Sequence, residues 1–169
     1  MKISIQVIPS ADEPAAVEYR WDTDTAILIA SFGNGTTNGA EGMTGSIEFA
    51  GQDGSWLILD VQHGAIGSVE VAVWPDVRRS PTLNLPSDVE DAQLIVQTRQ
   101  QGAAVTLAQT NTMVIAESDA EEQTIHFRLG SSHAVRTVRA ARDVLIDLSD
   151  RHTIRGIWLL NVPRFPGDS

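Results

Sequence analysis

The sequence predicts a mainly β fold: two similar antiparallel β repeats in tandem, packed as one pseudo-symmetric domain with little helix. Three observations predict it. Apolar and polar residues alternate with period 2 along much of the chain, Gly/Asn/Pro turn signals punctuate it, and one long pattern is written twice. Strict alternation marks a strand with one buried and one wet face. A repeat of this length is a supersecondary unit that buries a face by stacking on a copy.

The elements follow in order. "ISIQVIP" sets Ile3, Ile5 and Val7 against Ser4 and Gln6. "SADEPAAVE" is short and holds Pro14, so it is not read as a helix. "VEYRW" sets Val17, Tyr19 and Trp21 against Glu18 and Arg20. "AILIA", Ala26 to Ala30, is apolar on both faces and reads as a central strand or one covered by a partner layer. Phe32 to Gly42 is a Gly/Asn-rich surface loop, and "QDG" and "QHG" are hairpin signals around an apolar strand. "SPTLNLPSD", Ser80 to Asp88, with two prolines, is the connector between halves. "SDVEDAQL" opens like a capped helix, with Ser87 and Glu90 three apart, but Leu94 and Val96 return to alternation. "TIHFRL" sets Ile125, Phe127 and Leu129 against His126 and Arg128. "SSHAVRTVRAARD" reads as an extended arm with at most one helical turn, because Val135, Thr137 and Val138 are β-branched. "IWLL" is apolar on both faces. The division is a first unit over 1–80, a connector over 81–88 and a second unit over 89–169.

The repeat is clearest in "DGSWLILDVQHGAIGSVEVAVWP" and "RDVLIDLSDRHTIRGIWLLNVP". With Asp60 on Asp147, Leu57, Leu59 and Val61 fall on Val144, Ile146 and Leu148. After one extra residue in the second turn, Ile66, Val69, Val71 and Pro75 fall on Ile154, Ile157, Leu159 and Pro163. The second copy resembles the YuzE-like family of small bacterial domains of unknown function. The resemblance spans some forty-five residues: Asp119 at a polar corner, Ile125 to Leu129 as the first strand, Asp147 at a strand end, and Gly156 with Ile157 opening the last strand. Trp158 stands where that family has Glu. The first copy keeps Asp22, Asp60 and Glu70 but has Ser68 for the Gly. The resemblance implies a small antiparallel β unit and carries no activity.

Composition narrows the function. There are 22 acidic and 12 basic side chains, a formal net charge of −10. Such a field repels phosphate backbones and anionic lipid, so neither nucleic acid nor a membrane is an expected partner. Arg136, Arg139 and Arg142 form the best basic patch, and strand spacing splits them between faces. The absence of cysteine excludes disulfides, thiolate zinc sites and cysteine nucleophiles. No stretch approaches the ~20 apolar residues of a membrane span, and "MKISIQVIPS" lacks a signal-peptide core, so a soluble cytoplasmic protein is expected.

The candidate chemistry is sparse. Asp22, Asp60, Glu70, Asp119 and Asp147 are acid–base or ligand candidates that Asx-turn capping also explains. His63 and His152 occupy matching turns without zinc-ligand spacing, and His126 faces away from the core. His133 lies in a polar loop. No GxSxG elbow is present, and "GNGTTNG" lacks the Lys of a P-loop. Trp56, Trp74 and Trp158 serve core or inter-repeat packing, or else line a cleft between the halves. The expectation is a non-catalytic binding or protein-interaction module, with no catalytic residues, no metal and no cofactor. A protein partner or a second copy is the expected class of partner. The alternative is an enzyme or small-ligand-binding protein with a site between the repeats, drawn from Asp22, Asp60, Glu70, Asp147, Trp74 and Trp158.

Overall fold

The computed structural model describes residues 3–33, 42–98, 105–131 and 133–167. Most of the Gly/Asn-rich loop expected over Phe32 to Gly42 lies outside them. The described residues contain strands and turns and no helix. In chain order the strands are β1 (Ile3–Pro9), β2 (Glu18–Asp22), β3 (Ile27–Ser31), β4 (Gly45–Gly51), β5 (Trp56–Gln62), β6 (Ala65–Val73) and β7 (Val77–Arg79). They continue with β8 (Val89–Thr98), β9 (Val105–Thr112), β10 (Val114–Ser118), β11 (Ile125–Leu129), β12 (Arg136–Ala141), β13 (Val144–Leu148) and β14 (Ile154–Leu159). The segment that opens like a capped helix at Ser87 is therefore strand β8, and the expected arm is strand β12. No helix among the described residues is long and apolar enough to cross a membrane.

Two sheets pack together. One runs β1-β8-β12-β13-β14-β11-β10-β7, the other β2-β3-β6-β5-β4-β9. The inner faces share one apolar cluster, in which Leu28, Phe49, Leu59 and Val71 of the six-stranded sheet join Phe127, Ile146, Ile157 and Leu159 of the eight-stranded sheet. Each such side chain contributes about 1.5–3 kcal/mol on burial, so this cluster dominates the stability.

The pairing is mostly antiparallel, with three parallel exceptions: β4 with β9, β8 with β12, and β7 with β10. The β4–β9 and β7–β10 pairs, like the antiparallel β1–β8 pair, join strands from opposite sides of the connector. The sheets are thus completed by exchange. Strands β1 and β7 lie in the eight-stranded sheet, and β9 closes the six-stranded sheet. Local alternation does not encode such partners, which is why "ISIQVIP" read as part of the first unit and "AVTLAQ" as part of the second.

The two hairpins that read alike have the same register. Leu59 pairs Val69 and Asp60 pairs Ser68, while Ile146 pairs Ile157 and Asp147 pairs Gly156. Each ladder shifts register immediately after its Asp, and each turn places a histidine at positive φ, His63 at 48° and His152 at 57°. The outer faces differ. On the eight-stranded sheet Leu145, Trp158 and Leu160 form a second buried cluster, with Leu83 and Val89 packed against it. The stretch expected only as a connector therefore roofs this face, which explains why all five residues of β13 are buried. On the six-stranded sheet Ile27 and Ile29 are only half-buried, so "AILIA" is not covered on both faces.

Candidate functional site

The side chains brought together under the roof are Asp147, Trp158, His126 and Thr137. Period 2 puts Asp147 on the outer face of β13, beside Thr137 of β12 and Gly156 of β14 in the ladders. One turn of the pleat along, Trp158 pairs His126 of β11. Asp147 is 4% exposed and collects donors from three other strands, β11, β12 and β14. Thr137 Oγ1 donates to Oδ1 at 2.7 Å, Trp158 Nε1 donates to both oxygens at 3.2 and 3.1 Å, and His126 Nε2 donates to Oδ2 at 2.8 Å. The His126 and Trp158 rings stack with centroids 3.9 Å apart.

Gly156 is what makes this possible. A Cβ there would lie 2.3 Å from Asp147 Oδ2 and 3.0 Å from His126 Nε2. Glycine inside a strand marks a close approach of this kind. A buried carboxylate is tolerated only when its lone pairs are satisfied, and here they are. The network ties four strands together.

The register partners in the other sheet are Ile29 for His126, Ser46 for Thr137, Asp60 for Asp147, Ser68 for Gly156 and Glu70 for Trp158. Asp60 is exposed and Glu70 half-buried on the uncovered outer face. Asp22 caps its own turn, accepting the Asp24 N–H at 3.0 Å, and Asp119 does the same for Gln123 and Thr124. The six residues considered as one ligand set therefore do not converge. Asp147 and Trp158 meet under the roof, Asp60 and Glu70 share the opposite surface of the molecule, and Trp74 with Trp21, the neighbour of Asp22, belongs to a third place. Two expectations are corrected. Asp147 serves the sheet rather than its turn, which Ser149 caps instead by accepting from Arg151 and Thr153. His126 faces away from the core yet is covered by Trp158.

The third place is a cleft of about 880 Å³ between the sheets. Trp21 of β2 and Trp74, just after β6, stack at 5.6 Å, and Phe165 meets Trp21 edge-on at 5.2 Å. Both indole N–H groups are already used, Trp21 on the Pro163 carbonyl at 2.9 Å and Trp74 on the Ala26 carbonyl at 2.8 Å. What the tryptophans offer the cleft is therefore carbon surface rather than hydrogen-bond donors. Arg79, paired with Glu122 at 2.9 Å, and Arg164 stand at its edge. Tyr19 fastens the same corner, donating to the Leu160 carbonyl at 2.6 Å. Burial, and then the charge of Asp143, hold its hydroxyl above the ordinary phenol range.

The basic patch is largely neutralised. Arg136 pairs with Glu90, holding that carboxyl below its usual range, and Arg139 lies 3.6 Å from Asp91. Both pairs join β12 to β8. The described residues hold no group of three or more His, Asp or Glu placed for a metal. No family model and no curated protein matches the chain.

Proposed function

We propose that the protein is a non-catalytic binding module whose site is the cleft walled by Trp21 and Trp74. The observation that carries this reading is the stacked tryptophan pair, with its N–H groups spent elsewhere, lining a cavity of about 880 Å³. That volume falls within the roughly 300–1,000 Å³ of ligand sites, which combine apolar walls with a few polar groups. The fitting ligand has a flat apolar face and a polar edge, such as a sugar or aromatic ring, which the Arg79–Glu122 pair and Arg164 would meet.

We also read the chain as two fused copies of one small β unit, of the kind the YuzE-like resemblance implies. Support comes from the strand orders β2-β3-β6-β5-β4 and β10-β11-β14-β13-β12 and from the shared hairpin register. On this reading the cleft lies where the copies meet.

The test is intrinsic fluorescence with monosaccharides, nucleosides and aromatic carboxylates as probes. At least one probe class is expected to give a saturable change below about 1 mM, weakened about tenfold or more by Trp74→Leu and by Phe165→Ala. Failure of every class to bind, or binding that both variants leave unchanged, refutes the assignment.

A further inference from the structure

We propose that a second cavity, beneath the β13–β14 turn, binds a short aliphatic carboxylate, with Arg155 holding the carboxylate group. It lies at the other end of β14 from the tryptophan cleft and does not depend on that site. The cavity measures about 270 Å³. Ile3 and Ile5 of β1, Phe49 of β4 and Ile154 make its apolar wall, and Gln109, His152, Thr153 and Arg155 make its polar wall.

Arg155 is there because of a bulge. Asp147 pairs Gly156 and Leu148 pairs Ile154, so Arg155 is the extra residue, outside the ladder. A bulge re-aims a side chain. At the matching bulge of the other hairpin the extra residue is Gly67, which has no side chain to aim. Arg155 runs past Gly130, where an added Cβ would lie 3.1 Å from Nη1.

Among the described residues the guanidinium has no hydrogen-bond or ion-pair partner. Arg79, Arg136 and Arg139 each have a carboxylate within 4 Å, in a chain with 22 acidic residues. Among the described residues Arg155 has none, and its Nε is buried with no acceptor. The Nε is too enclosed for a ligand to reach, so a bound anion would meet the Nη groups of this half-buried guanidinium. His152 does not supply the missing partner, since its ring nitrogens face the Ile5 carbonyl at 3.3 Å and Arg136 at 3.4 Å.

Charge and volume set the ligand class. One guanidinium matches one carboxylate bidentately and leaves a second negative charge unmet, which favours a carboxylate over a phosphate. Gln109, from the facing sheet, offers a further amide N–H. At about 30 Å³ per water-sized group the cavity takes roughly nine such groups, enough for a carboxylate with a chain of about four to six carbons. The isoleucines and Phe49 suit that chain.

The test is titration of the full chain with sodium hexanoate, followed by NMR and thermal melting. Hexanoate is expected to saturate in the millimolar range or tighter and to raise Tm, with nuclear Overhauser contacts to Phe49 and Ile5. Arg155→Met, which keeps length and removes charge, is expected to weaken binding about tenfold or more, and 1-hexanol and inorganic phosphate are expected to bind as poorly. The proposal is overturned if hexanoate does not saturate by about 50 mM, if Arg155→Met binds it equally, or if hexanol or phosphate binds as well. It is overturned equally if the wild-type contacts fall on Trp21 and Trp74. That readout needs no variant to fold.

Discussion

Truncating Asp147 to alanine removes the one acceptor shared by His126, Thr137 and Trp158. Each buried donor left without a partner costs about 1–3 kcal/mol. The three do not add fully. The His126 side chain keeps 18% exposure, so water relieves it, and the Thr137 hydroxyl can rotate toward another acceptor. The expected loss is therefore about 3–5 kcal/mol. Asp147→Asn keeps the shape and one carbonyl oxygen, and the imidazole can present the nitrogen that accepts, so about 1–2 kcal/mol is expected. The control lies in the molecule. Asp60 holds the same register position in the other hairpin but is exposed, and Asp60→Ala should stay within about 0.5 kcal/mol of the parent. The assay is urea unfolding at neutral pH, monitored by fluorescence and circular dichroism together. Equal effects of alanine at 60 and 147 would refute the reasoning. So would asparagine and alanine at 147 costing the same.

Gly156→Ala forces a Cβ against Asp147 and His126 and should cost about 2–3 kcal/mol, while the Gly156→Ala/Asp147→Ala double variant should lose clearly less than the sum, since both strike one network. A strictly additive result in the double-mutant cycle would show that the glycine serves something else. For Tyr19 the folded state holds the hydroxyl proton above the ordinary value of about 10, so the stabilisation is complete below that pH and is lost as pH rises through and above it. Wild-type stability should therefore fall more steeply than that of Tyr19→Phe above about pH 10, and parallel curves would contradict the assignment. Residues 1–80 and 84–169 expressed separately should be unfolded, aggregated or dimeric, since each lacks strands the other supplies, and mixing should restore the sheets by circular dichroism and gel filtration. A stable monomer with cooperative unfolding from either half would show that the exchange of strands is dispensable.

Much of the fold was legible because alternation and turn chemistry are local. Leu57, Leu59 and Val61, or Val144, Ile146 and Leu148, declare their face by spacing alone, and the two hairpins pair in the same register. What was not legible depends on distant chain. Asp60 and Asp147 sit in nearly identical sequence, yet one meets solvent and the other a network, because Leu83 and Val89 fold over only one sheet. His126 looked like a wet-face histidine for the same reason. The parallel partners of β4, β7 and β12 left no local trace. Two signals were present in the sequence: a glycine at 156 inside an apolar strand, and the one extra residue in the second turn region, close to Arg155.

The crossed strands have a consequence for biosynthesis. Ile3 pairs Thr98, so strand β1, once it has left the ribosome, waits for a partner 95 residues behind it (98 − 3 = 95). At roughly 5–20 residues per second that wait is about 5–20 s. During it β4 also presents an open edge, because β9 is translated later still than β8. A nascent chain holding two unpaired strands for that long is a template for its neighbours on the same messenger. Slow stretches of translation after residue 80 would lengthen the exposure, and an early-binding chaperone would shorten its effect. The architecture that makes the finished molecule a single unit therefore concentrates its risk in the seconds before residue 112 has been made.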